Sequence, residues 1–150
     1  MVKRLLVLAL LLASPLASAV TDENQGITEF DDYRVHYSVI PSTFLEKETA
    51  REYDLTRSRS VGLLNVAVHE TSGEDAPNPI TAEVKGTFTN EARQTKELSF
   101  RRVQEGDAVY YLAQFQYRQG ELLIFELEPA PYGDSTTLPV RFSRELYDDE

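Results

Sequence analysis

Cysteine is absent from all 150 residues, and that absence removes several possibilities at once. No disulfide braces the fold, even in an oxidising compartment. No thiol serves as a nucleophile, and no lipid is attached to a cysteine behind the N-terminal apolar run. Histidine is nearly as scarce, with only His36 and His69. No H-x-H or H-E-x-x-H spacing occurs, nor a G-x-S-x-G nucleophile elbow. Positive charge is also in deficit: 15 Lys and Arg against 25 Asp and Glu leave a formal charge of −10. Such a surface repels nucleic acid, whose binding depends on cations neutralising phosphates. It disfavours anionic lipid in the same way, and it keeps a small protein soluble.

The one long apolar run sits at the N-terminus. Lys3 and Arg4 precede an unbroken stretch of Leu, Val and Ala from Leu5 to Leu12, and the segment closes on Ala17-Ser18-Ala19. A positive start, a short apolar middle and a small-x-small end mark a signal peptide over residues 1–19. The run falls short of the about 20 residues needed to cross a bilayer, which argues against an uncleaved anchor. Cleavage near Val20 removes Lys3 and Arg4 and takes the charge from −10 to −12. The expected mature chain, residues 20–150, has the length of one domain able to bury a core without staples. Its expected location is the bacterial periplasm, with no stable membrane insertion.

Thr21 to Asp32 is polar and reads as loose chain. From Tyr33 the side chains alternate, with Tyr33, Val35, Tyr37 and Val39 on one face and Arg34, His36 and Ser38 on the other. Period two with aromatic and β-branched residues is a half-buried strand. Six further stretches follow the same rule: 60–70, 80–90, 95–103, 108–118, 121–128 and 138–146. Turn chemistry separates them at Thr71–Pro79, Glu105-Gly106-Asp107 and Gln119-Gly120, the last being the length of a two-residue hairpin loop. Pro129, Pro131 and Gly133 break the chain before the final strand. Residues 43–53 form the helical candidate, with Thr43 and Glu46 at capping-box spacing and Phe44, Leu45, Ala50 and Tyr53 as an apolar stripe. Strands in series without helix alternation predict an all-β fold, an immunoglobulin-like antiparallel β-sandwich of about seven strands with one short helix. A closed barrel is the competing architecture. No repeat, low-complexity tract or second domain is visible.

Candidate site residues are few. His36 and His69 each lie on the face of a strand opposite its apolar one, and on neighbouring strands the two rings would approach each other. With a carboxylate such as Glu70 or Asp32 they would suit zinc or copper; as solvent-facing surface residues they would need no ligand. Arg57 and Arg59 stand out in an acidic chain. Two forked guanidinium groups one residue apart would clamp a carboxylate or phosphate, or pair with Glu48, Glu52 or Asp54 to staple the helix to the sheets. Asn65 interrupts an apolar strand, where Asn is disfavoured; it either satisfies a backbone group at a bulge or crossing, or faces a pocket. Asp31-Asp32 and Asp148-Asp149-Glu150 lack the loop pattern of a calcium site, and no pair of acids is marked for glycosidase chemistry.

Several of these residues also carry a resemblance. His36-Tyr37-Ser38, Ser42-Thr43-Phe44-Leu45, Glu48, Ala50, Tyr53, Leu55, Arg57-Ser58-Arg59 and Leu63-Leu64-Asn65-Val66 resemble the opening of an exported bacterial family catalogued as the domain of unknown function DUF 4426. Phe125-Glu126-Leu127-Glu128-Pro129 and Pro139-Val140-Arg141-Phe142 are similar to its C-terminal half. The resemblance implies a periplasmic β-sandwich and supplies no catalytic residues; it points any shared site to the block from His36 to Asn65, which serves equally well as the folding signature of the strand-helix-strand unit.

Nothing in the sequence marks catalysis or calls for a cofactor. The expected function is a non-catalytic module binding a periplasmic protein or envelope component, by an edge strand or end loops. The alternative is a small-ligand or metal binder using His36, Arg57, Arg59 and Asn65, with His36 and His69 as the metal candidates. Oligomeric state is left open.

Overall fold

A computed structural model describes residues 25–148; the expected signal peptide lies outside the described residues. Among the described residues ten strands form two antiparallel sheets. In chain order they are β1 (Gln25–Glu29), β2 (Tyr33–Pro41), β3 (Val61–Glu70), β4 (Asn78–Pro79), β5 (Ala82–Thr89), β6 (Thr95–Glu97), β7 (Arg101–Glu105), β8 (Ala108–Gln116), β9 (Leu122–Pro131) and β10 (Val140–Glu145). The first sheet runs β1-β2-β3-β8-β7, with β4 pairing the end of β3; the second runs β10-β9-β5-β6. The two sheets do not close into a barrel, and the expected antiparallel sandwich with one short helix is what forms.

Alternation dictates the core, because register partners share a face. Val35 faces Val68, Tyr37 faces Val66 and Val39 faces Leu64, and β8 adds Tyr111 and Ala113 to the same inner side. Across the gap, Phe88 on β5 pairs with Phe125 on β9, and Phe125 with Phe142 on β10. Rings from both sheets interleave: Tyr37 stacks on Phe142 at 4.1 Å, and Phe115 meets Phe125 edge-on at 5.1 Å. The Tyr111 hydroxyl accepts the Ala82 amide at 2.7 Å, a buried polar stitch between the sheets.

Five local expectations need correction. The polar start is not all loose, since β1 pairs along β2 from Gln25↔Ser38 to Glu29↔Arg34; backbone pairing holds a strand whose Ile27 faces solvent. The 95–103 stretch is two strands in different sheets, because the chain crosses between sheets over Leu98–Phe100 and closes that side of the sandwich. Gln119-Gly120 joins no hairpin, as β8 and β9 also lie in different sheets. Pro129 and Pro131 do not break β9. The Pro129 carbonyl accepts the Leu138 amide at 2.8 Å, so its side of the backbone faces away from β5. That side lies beyond the β10 ladder, which stops at Val140↔Leu127, and no strand partner there asks for the missing N–H.

The helical excursion is the fifth. It splits into a 3-10 turn (Ser42–Phe44) and one short α-helix, α1 (Lys47–Glu52). The capping box is not made: Glu46 is the N-cap without a side-chain bond, and Thr43 Oγ1 donates to Asp148 Oδ1 at 2.8 Å instead. Of the expected stripe only Ala50 is fully buried, and Phe44 is 49 % exposed.

Candidate functional site

The outer face of the first sheet has two halves. At one end the excursion folds over it. Gln114 on β8 holds both backbone groups of Thr56, at 3.0 and 2.8 Å, and Arg101 on β7 donates to the Tyr53 carbonyl. Leu63, an outward residue, is buried in consequence. Toward the other end the register places Ile27 beside His36, His36 beside Ala67, and Glu29, Arg34 and His69 in one row.

His36 and His69 are diagonal neighbours on β2 and β3, and their ring centroids lie 4.7 Å apart with the planes tilted by 54°. Both side chains are half-buried. Burial lowers the pKa of His36, with the nearby His69 and Arg34 adding to the effect while Glu29 opposes it. Burial also lowers that of His69, again helped by Arg34. Desolvation and like charge both penalise the imidazolium, so each ring is favoured in the neutral form that ligates metals. Arg34 is itself held by Glu29, through Nε at 2.9 Å and a second nitrogen at 2.8 Å. His36 Nε2 is enclosed without a hydrogen-bond partner. A buried polar atom in that state is costly, and an ion or a water would relieve it.

The other expected residues do not join this pair. Arg57 donates to the Leu45 and Thr43 carbonyls at 2.9 and 3.1 Å, bracing the turn before α1. Arg59 pairs at 3.1 Å with Asp148, whose side chain is wholly enclosed and also accepts Thr43. These arginines staple the excursion, through partners other than the expected Glu48, Glu52 and Asp54. Asn65 lies two residues from Ala67 on the same outer face, opposite Ser38 and Leu112. No bulge occurs there, and its Oδ1 is buried without a partner. Glu70 and Asp32 do not complete a ligand cluster; among the described residues no group of three His, Cys, Asp or Glu side chains is placed to hold an ion. The sequence reading missed Ile27 and Glu29, which border the pair, because the segment holding them lacks the alternation that marked the other strands.

The family model for DUF4426, a domain of unknown function, matches residues 27–149. A crystal structure of a DUF4426 family protein from Pseudomonas aeruginosa PAO1 is similar at 32 % identity and a TM-score of 0.72, covering 86 % of this chain and 99 % of that one. FetP of uropathogenic E. coli strain F11, expressed recombinantly in the E. coli periplasm, shares the fold at 12 % identity and a TM-score of 0.56, over 81 % of this chain and 93 % of that one. A copper-bound variant of that FetP gives 10 % and 0.57, over 81 % and 94 %. No curated protein matches the chain.

Proposed function

On the premise that the chain belongs to the DUF4426 family of domains of unknown function, we propose that it is a periplasmic β-sandwich that binds a transition-metal ion through the imidazoles of His36 and His69. The observation that carries this reading is the 4.7 Å separation of the two rings, which adjacent strands impose. Imidazole nitrogen suits copper and zinc, and divalent copper heads the affinity order for such donors. The copper bound by a FetP variant of the same fold supports the choice of metal. FetP's expression in the periplasm supports the location, as do the signal-peptide features of residues 1–19.

The test is equilibrium dialysis of the purified protein against copper(II) and, separately, zinc(II). His36→Ala and His69→Ala are each expected to lower affinity at least tenfold, with far-UV circular dichroism unchanged. Full-strength binding by the double variant would remove the site, and no binding by the wild type would remove the function.

A second reading, a module docking on an envelope protein, is favoured by the edge position of β1 and by its Ile27, which is 55 % exposed. Strand addition at such an edge is a recurrent recognition mode. An envelope protein that co-purifies with the wild type, and is lost when β1 is interrupted by proline, would favour it over the ion.

A further inference from the structure

The inner faces of β2 and β3 run out at the same end of the sandwich, and they run out on polar groups. Along β3 the inward positions are Leu64, Val66, Val68 and then Glu70, which the register sets opposite Tyr33. Tyr33 and Ile80 pack against the core there. Both line a groove of about 530 Å³, together with Glu70, Pro131, Tyr132 and Asp134.

That groove is negative and has no cation of its own. Glu70 is half-buried, and among the described residues no ion pair involves it or Asp134. No Lys or Arg lines the groove. Arg34, next along the chain from Tyr33, lies on the outer face, where Glu29 holds it. The Asp134 carboxylate accepts the Thr136 hydroxyl at 2.7 Å, the Tyr33 hydroxyl at 2.7 Å and the Thr136 amide at 2.9 Å. These bonds hold its pKa below the usual carboxylate value. The Tyr33 hydroxyl is pushed up to about 12, first by its bond to Asp134, then by burial and the charges of Asp134, Glu70 and Asp32. A negative field therefore covers the mouth of the core.

An acid that ends an apolar face with no cation beside it loses solvation without return. A ligand that brings the missing charge gains there, and the walls narrow its identity. A bare metal ion wants several oxygen or nitrogen donors, and among the described residues no three His, Cys, Asp or Glu side chains are placed to supply them. Tyrosine and proline offer carbon surface instead, and aromatic rings attract cations that carry carbon of their own. Tyr132 is 64 % exposed, a large ring open to such contact. We infer that this groove binds a small organic cation, an alkylammonium group held by the Glu70 and Asp134 carboxylates with its carbons against Tyr33 and Tyr132. Its volume falls within the range of about 300–1,000 Å³ usual for small-molecule sites. The site lies at the end of the sandwich, away from the outer face, and stands without the metal-binding reading.

Titration of the isotope-labelled protein with tetramethylammonium chloride, followed by amide chemical shifts at constant ionic strength, tests this. The expected result is a saturable response centred on Glu70, Thr81 and Tyr132 to Asp134. tert-Butanol has the same shape without the charge and is expected to bind at least about tenfold more weakly. Glu70→Gln, which keeps the shape of the side chain, is expected to weaken tetramethylammonium at least about fivefold. Tyr132→Ala, at an exposed position, is expected to weaken it about two- to fivefold. Equal binding of tert-butanol, or full-strength binding by either variant, overturns the site. So does an absent response to tetramethylammonium, or one scattered over the acidic surface without saturation.

Discussion

Burial and the neighbouring Arg34 hold the pKa values of His36 and His69 below the usual 6.5. The groups facing the pair are each other, Arg34 on β2 and Glu29 on β1. Unfolding releases both rings to ordinary values near 6.5. Between the folded and unfolded pKa values the unfolded chain therefore binds more protons than the folded one, and stability rises with pH there. Their contribution is fully present above about pH 6.5 and is lost as pH falls through the folded values. Urea unfolding of the ion-free protein from pH 7.5 to 5 is expected to show this decline, and His36→Gln with His69→Gln to flatten it. An equally steep decline in the double variant would assign it to carboxylates.

The strands show, element by element, how local sequence gives way to neighbours. Gly62 on β3 lies opposite Phe115 on β8, and a Cβ built at Gly62 runs into the Phe115 ring. That ring is buried against Phe88 and Phe125 and has little room to move. Gly62→Ala is therefore expected to cost about 1–3 kcal/mol, the usual range for overpacking, although alanine is otherwise no worse in a strand. A urea midpoint unchanged at constant slope would show that the ring yields. Alternation made the inner faces of β2, β3, β5, β8 and β9 legible, because burial on one face is a local pattern. It made His36 legible as an outward residue. It could not reveal β1, which pairs through its backbone, or the sheet crossing at Leu98–Phe100, which depends on where the two sheets lie. The Thr43–Glu46 spacing misled for a related reason: Asp148, more than a hundred residues along the chain, takes the Thr43 hydroxyl. The same long-range acid explains why Arg59 joins no ligand site. The closeness of His36 and His69 needed the pairing of β2 with β3, which the sequence raised as a condition and the register supplies.

Across the whole molecule, apolar burial between the two sheets opposes the self-repulsion of a net acidic chain. The full sequence carries ten more acids than bases. The ion pairs among the described residues do little to offset this: Lys85–Glu83 spans 3.4 Å and Arg141–Glu126 3.2 Å, with every partner more than half exposed. Exposed pairs contribute at most about 1 kcal/mol and weaken in salt. Two pairs differ: Arg34–Glu29, whose arginine is 32 % exposed, and Arg59–Asp148, with its carboxylate enclosed and little screened. Net self-repulsion also weakens in salt, and it acts in the opposite direction, against the compact state. At about 0.15 M salt the screening length is already near 8 Å, shorter than the distance across the sandwich, so most of the response falls below that concentration. The ion-free protein is therefore expected to melt a few degrees higher in 0.3 M than in 0.01 M sodium chloride, about 2–4 °C for each kcal/mol of relieved repulsion. A melting temperature that falls with salt would mean that surface pairs outweigh the acidic excess.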